Sequence, residues 1–245
     1  VTRYIAITRE ARSQYAYLVA GILLGVLPSF AILLVGLLLK SRLALLVFHS
    51  ELYTRLLVPT LILIFCYSFF VLLYAFYRGM GKMGRANVWQ LGVIGIGPAI
   101  IAWVYARSGQ IDTIILLMAL LLGSSFLPLI FHTVRAIKEG VTAGEIRESA
   151  DDLFRYGLPR VPGGVAFAGL LAIGPFLAPY FGSLKDAGYF VAGQSILRVV
   201  EGVTESFGRV ALAKAATIFA DEQNEFLGEG TTDIIAFVVH LGIYA

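Results

Sequence analysis

The sequence predicts an all-α fold, a polytopic membrane helix bundle, from three observations. Five runs of 21 to 25 residues, at 15–39, 56–77, 86–106, 113–134 and 161–184, contain no Asp, Glu, Lys or Arg. At about 1.5 Å per residue each can cross a hydrocarbon core of roughly 30 Å. Hydrophobic residues make up 58% of the chain and charged ones 14%, far from the roughly 25% charged of soluble domains. The alternating pattern of a membrane β-barrel is absent, and a continuous apolar run in lipid has to close its own backbone hydrogen bonds as a helix.

Taken in order, residues 1–6 read as the tail of an earlier helix rather than a signal peptide. Residues 234–245 are twelve positions, apolar but for His240, roughly 18 Å of helix, which stops short of a span. The expectation is an internal piece of a longer protein, cut at both ends. Between the runs, Lys and Arg divide unequally. Arg3, Arg9, Arg12, Arg78, Lys82, Arg85, Arg135, Lys138, Arg147, Arg155, Arg160, Arg198, Arg209 and Lys214 fall on one side, fourteen in all, against five on the other: Lys40, Arg42, Arg55, Arg107 and Lys185. Basic loops stay inside, so the richer side is expected in the cytoplasm and the segment 135–160 becomes a cytoplasmic linker between two helical groups. The membrane implied is the cytoplasmic one, crossed many times.

Pro28, Pro98, Pro128, Pro175 and Pro179 lie inside the runs, where each removes an intrahelical bond and favours a bend. Gly174-Pro175 with Pro179 makes the fifth run the most irregular, as in helices that line transport pathways. Gly21 and Gly25 form a small-xxx-small pair suited to close helix packing. Cys66 is the single cysteine, which leaves no disulfide framework or cysteine metal site and reads as a small core residue.

The sixth segment has the most unusual chemistry. With 100° steps and Gln194 at zero, Arg198, Glu201, Glu205 and Arg209 fall within about 80° of arc, and the stripe from Gln194 to Arg209 is roughly 22 Å long. Ile196, Val199, Val200, Val203, Phe207 and Val210 lie opposite. A charge at mid-membrane costs about 2.5 to 3.5 kcal/mol on an insertion scale, so the stripe is expected to face a wet cavity. There the arginines would bind an anionic head group while Gln194 and the carboxylates meet hydroxyls or a coupling cation. Two plainer arrangements fit the same residues: a neutral ladder of Arg198 with Glu201 and Glu205 with Arg209, or a helix that leaves the membrane early.

Three segments resemble a known family. Tyr77-Arg78-Gly79-Met80-Gly81-Lys82-Met83-Gly84-Arg85-Ala86-Asn87, with Gln90 after it, is similar to the basic loop and helix start of polysaccharide-biosynthesis flippases in the multidrug/oligosaccharidyl-lipid/polysaccharide (MOP) superfamily. Leu153-Phe154-Arg155-Tyr156-Gly157-Leu158-Pro159 resembles the entry to that family's second lobe, and Ala187-Gly188-Tyr189-Phe190-Val191-Ala192 the opening of its next helix. The resemblance covers essentially the whole chain and implies a two-lobed transporter. Residues 1–134 would be the later part of the first lobe, from the end of helix 2 through helix 6. Residues 135–160 would be the linker, and 161–245 would hold helices 7, 8 and part of 9.

The activity implied is translocation of a lipid-linked oligosaccharide, on a polyprenyl-pyrophosphate carrier, by rocking between inward-open and outward-open states. The charged stripe maps onto the helix of the second lobe that lines the cavity, with Arg3 and Arg160 as additional phosphate contacts. Thr2-Arg3-Tyr4-Ile5-Ala6 resembles a pseudo-symmetric counterpart of Gly208-Arg209-Val210-Ala211-Leu212. Many relatives carry an Asp where Ala172-Ile173-Gly174-Pro175 stand here, which departs from an acidic cation site; the coupling ion, proton or sodium, stays open. The partners implied are the bilayer, the lipid-linked glycan, and a glycan polymerase or glycosyltransferases.

Other residues weigh less. His132 and His240 read as packed or helix-end histidines rather than proton relays, and His49 has no partner evident in sequence. Tyr67, Tyr74 and Tyr77 are explained by packing before sugar stacking. Glu139, Glu145, Glu148, Asp151 and Asp152 read as a solvated face of the linker. No nucleophile motif, metal spacing, phosphate-cradling loop or nucleic-acid signature is present, so no catalytic residue, metal or other cofactor is expected, and an enzyme is the poorer reading. The alternatives are a cation-coupled multidrug exporter of the same superfamily and a membrane-embedded glycan polymerase or ligase.

The orientation is testable by labelling. In a Cys66→Ser background, Ser50→Cys should react with a membrane-impermeant maleimide in intact cells, whereas Lys138→Cys should react only after permeabilisation. The opposite pattern overturns the inside-out assignment.

Overall fold

The computed structural model of the chain describes residues 1–8, 10–48, 50–105, 107, 109–183 and 185–197. Among them there is helix and no strand. The elements are α1 (Thr2–Ile7), α2 (Ala11–Leu38), α3 (Lys40–Phe48), a 3-10 turn (Glu51–Tyr53), α4 (Thr54–Gly79) and α5 (Met83–Gln90). A π-helical segment (Leu91–Ile96) leads into α6 (Gly97–Tyr105), followed by α7 (Ile111–Gly123), α8 (Phe126–Lys138), α9 (Ala143–Gly157), a 3-10 turn (Leu158–Arg160) and α10 (Val161–Phe181). A further helix, α11, covers 185–197. Among the described residues, five helical stretches contain a segment long and apolar enough to cross a membrane: Ala11–Leu38, Glu51–Gly79, Met83–Tyr105, Ile111–Lys138 and Ala143–Pro179, the last with its uncharged part beginning at Val161. They contain the five expected runs to within a few residues at the ends, so the all-α, multi-pass reading holds.

The chain divides into two compact units, Val1–Ala166 and Phe167–Ala245. In the first, α4 is the central helix because it buries two neighbouring faces, about 100° apart around its axis, in two clusters. Phe69, Leu72, Leu73 and Phe76, at i, i+3, i+4 and i+7, are buried with Ile5 of α1, Tyr15 and Leu18 of α2 and Leu129 of α8. Leu63, Cys66, Phe70 and Tyr74, at i, i+3, i+7 and i+11, form the second face, against Val93 of the π segment and Leu122 of α7. Cys66 is thus a packing residue, as its setting in the run predicts. The outer surfaces stay apolar: Leu27, Ile32 and Val35 of α2 and Trp103 of α6 are exposed, as a hydrocarbon surround requires.

Helices in lipid gain little from hydrophobic transfer and associate through close packing, which favours small residues at the seams. A Cβ added at Gly36 would lie 2.6 Å from Leu61, and one at Gly79 would lie 2.7 Å from Ile5. The Gly21–Gly25 pair is only half used: Gly21 abuts Leu72, while Gly25 faces open space.

Four local features depart from the expectation. The segment 40–55 contains α3 and a 3-10 turn started by Ser50, whose Oγ accepts from Leu52 N at 3.2 Å. The fourth run is split at Ser124–Ser125 into α7 and α8, and Ser125 Oγ accepts from Trp89 Nε1 at 2.9 Å, a tertiary bond that holds the break. Pro98 is preceded by π-helical backbone, with Gly97 N bonding Gly92 O, so the register shifts before the proline that would otherwise interrupt it. The linker is helical: α8 reaches Lys138, the chain turns through Gly140 at φ 73°, and α9 passes through the 3-10 turn into α10.

Packing tolerance should follow these approaches. Gly79→Val has no room and is expected to destabilise the protein by about 1 to 3 kcal/mol, whereas Gly25→Ala should be close to neutral. Thermal unfolding in detergent separates the two, and equal effects would show that the α1–α4 seam is not tight.

Candidate functional site

Residues of the first unit assemble a site around α9. Its start is set by Thr142, whose backbone N donates to Glu145 Oε2 at 2.7 Å while Glu145 N donates to Thr142 Oγ1 at 3.4 Å, a reciprocal cap. The same carboxylate faces α2: Arg12 Nη2 donates to Oε2 at 2.9 Å and Arg12 Nε lies 2.8 Å from Oε1. Two turns after Glu145, Asp152 Oδ2 accepts from Tyr17 Oη at 2.7 Å, and its backbone O accepts from Tyr4 Oη at 3.4 Å. The expected solvated acidic face is therefore corrected at Glu145 and Asp152, which dock the linker helix onto α1 and α2; Glu139 and Asp151 pair with Arg135 and Arg155.

This docking presents Tyr156. Its ring meets Tyr4 edge-on at 5.7 Å, and Tyr4 stacks on Tyr17 at 5.2 Å. Arg160 Cζ sits 3.5 Å from the Tyr156 centroid with Nη1 donating to Tyr156 O at 2.7 Å, and Arg3 Cζ lies 5.1 Å from the same centroid. The two additional phosphate contacts expected from the sequence, distant by 157 positions in it, thus converge on one tyrosine. Among the described residues no carboxylate comes within ion-pair distance of either guanidinium. Cation–π contact orients a guanidinium without neutralising it.

Tyr156 and Arg160 line a groove of about 770 Å³, within the 300 to 1,000 Å³ range of small-molecule sites. Its walls are Gly21, Leu24 and Pro28 of α2 with Val71, Leu72 and Ala75 of α4; Ser29, Ser68 and Thr2 add hydroxyls. The wall is mainly apolar, and Arg160 is the charged side chain among those lining it.

Of the expected stripe, Gln194 is described: its Nε2 donates to Leu171 O at 2.8 Å, tying α11 to α10 in the second unit. Arg198, Glu201, Glu205 and Arg209 lie outside the described residues, as do His49 and His240. His132 is buried among Tyr15, Phe76, Tyr77 and Phe131, with Nε2 3.4 Å from Tyr77 Oη, a packed histidine. Tyr67, Tyr74 and Tyr77 line no part of the groove; Tyr156 is the tyrosine that does, and its place beside Arg155 and Arg160 in a Gly- and Pro-containing helix junction was the available signal. No cluster of His, Cys, Asp and Glu able to hold a metal occurs among the described residues.

Comparison with protein-family models, curated proteins and solved structures finds no match to this chain.

The α9 dock has a defined acid response. Backbone and side-chain hydrogen bonds from Thr142, and then Arg12, hold the Glu145 carboxyl down at about 2, against an ordinary 4.5. Because the bound form is the carboxylate, its contribution is complete above pH 4.5 and fades as pH falls from there through about 2. The protection of α9 amides, taken against their intrinsic exchange rate at each pH, should fall over that interval, and Glu145→Gln should show the low protection already at neutral pH. An acid response unchanged by Glu145→Gln would place the docking energy elsewhere.

Proposed function

We propose that the chain belongs to a transporter that moves a lipid-linked oligosaccharide across the cytoplasmic membrane by alternating access. The observation that carries this reading is the groove between α2, α4 and α9, whose lining is mainly apolar and includes Arg160 and Tyr156, the ring that Arg3 also meets. An amphiphile with a pyrophosphate and a long isoprenoid tail has the matching division of chemistry: the anion meets guanidinium N–H groups, and the tail meets Leu24, Val71 and Leu72. The Leu153–Pro159 segment that resembles polysaccharide flippases also supports it, since Leu153, Phe154, Tyr156, Gly157 and Leu158 line this groove.

In this reading Arg198 and Arg209, with Arg3 and Arg160 as additional contacts, attract the pyrophosphate. Glu201, Glu205 and Gln194 meet sugar hydroxyls or a coupling proton or sodium ion. Pro175 and Pro179 within α10 supply bends suited to a moving lobe. A multidrug exporter coupled to cations is favoured less, because the charged side chain on the groove wall is cationic.

The complete protein carrying Arg3→Ala with Arg160→Ala is expected to lose about tenfold or more of its glycan export at unchanged abundance, since a hydrogen bond to a charged group is worth about 1.5 to 3 kcal/mol. Arg155→Ala, which removes an exposed arginine already paired with Asp151 at 2.8 Å, should export normally. Normal export by the double variant, or an equal loss in Arg155→Ala, overturns the assignment.

A further inference from the structure

A second cavity lies on the opposite flank of α2. It holds about 330 Å³ between α2, α4 and α8, and every residue lining it is apolar except Thr133. The hydroxyl of Thr133 is turned back onto Leu129 O at 2.8 Å, so the lining offers hydrocarbon alone. Phe126, Ile130 and Val134 form the α8 wall at i, i+4 and i+8, and Val19, Ile22 and Leu23 form the α2 wall. Ile130, Val134 and Leu23 are exposed. From Phe126 to Val134 the groove runs about 12 Å, close to the roughly 15 Å depth of one leaflet's hydrocarbon.

Followed toward the basic end of the bundle, both walls change character at the same level. Along α8 the next i+4 neighbour of Val134 is Lys138, which is exposed, and beside Val134 is Arg135, its side chain 55% exposed. Along α2 the residue four before Val19 is Tyr15, and Arg135 Cζ lies 5.9 Å from the Tyr15 centroid, closing the seam. Glu139 shares Arg135 at 3.5 Å, an exposed pair worth at most about 1 kcal/mol, and Arg12 is engaged by Glu145. Cationic ends above a purely apolar slot of leaflet depth are complementary to one chemistry. We propose that the α2–α8 groove holds an anionic phospholipid of the leaflet that meets the basic end, with one acyl chain along Phe126, Ile130 and Val134 and its phosphate at Arg135 and Lys138. A second protein helix would fill the slot without using either cation. The site is separate from the α2–α4–α9 groove and stands whether or not that groove carries a glycan lipid.

The test is native mass spectrometry of the full chain released from detergent micelles doped equally with phosphatidylglycerol and phosphatidylcholine. Phosphatidylglycerol adducts should be retained in preference. Arg135→Ala should weaken retention about fivefold, equivalent to about 1 kcal/mol for one basic residue at the headgroup, and Arg135→Lys should restore most of it. Ile130→Trp, which fills an exposed slot without touching a charge, should lower retention as well. Added glycerol phosphate should not displace the adduct, because the tail is required. Equal retention of both lipids, indifference to Arg135→Ala and Ile130→Trp, displacement by glycerol phosphate, or a dimer that Ile130→Trp dissolves would each overturn the proposal.

Discussion

A peptide group in hydrocarbon has no water to turn to, so each span of this chain must close its own hydrogen bonds and every departure from α-helix needs a substitute partner. The departures fall where that demand predicts. Pro28 and Pro59 are each followed by a hydroxyl residue, and Ser29 and Thr60 donate to the carbonyls of Gly25 and Leu56 at 2.8 and 2.7 Å, the back-bonding that accompanies helix bends. Pro128 cannot donate to Ser124 O, and Leu127 N takes that acceptor at 3.2 Å. Around Pro98 the same demand is met by a change of register. Charge obeys the same rule and collects at helix ends, where α9 gathers it into specific bonds.

That constraint also explains what the sequence could disclose. A run long enough to span is a one-dimensional signal, so the five spans and the unequal basic loops were legible without tertiary knowledge. Arg12 with Glu145 and Tyr17 with Asp152 were not, because partners 133 and 135 positions apart leave no local pattern. The α9 helix had a visible signature in Thr142-x-x-Glu145, a capping box, but a short charged segment between two spans reads equally as a loop. The break at Ser124–Ser125 depends on Trp89, a residue from another span, and no propensity within 113–134 marks it.

The candidate site was legible by halves. Arg3 and Arg160 stand out as basic residues beside apolar runs, yet their convergence depends on Tyr156, whose ring is held by Tyr4 and indirectly by the Tyr17–Asp152 bond. The residue that organises the pair is thus a neutral one, and charge counting passes over it. The groove wall was equally hidden: Leu24, Val71 and Leu72 resemble any other lipid-facing positions until the helix packing separates one face from the next.

The arginines of this unit are used in two ways, and the difference bears on mechanism. Arg12, Arg135 and Arg155 face carboxylates; an incoming anion would have to displace a bound one to reach them, although exposed pairs yield readily. Arg3 and Arg160 face a ring, where a contact worth about 0.5 to 1 kcal/mol at an exposed site fixes the direction of the guanidinium and leaves its charge uncancelled. The planar fork of Arg160 is further oriented by its bond to Tyr156 O, so less rotamer freedom would remain to be lost on binding the proposed phosphate. Under the proposed function, mounting such a group on a helix junction, beside an apolar wall rather than on a free loop, would couple recognition of an anionic head to accommodation of a tail. It also ties both to the position of α9, which Glu145 and Asp152 hold against α1 and α2.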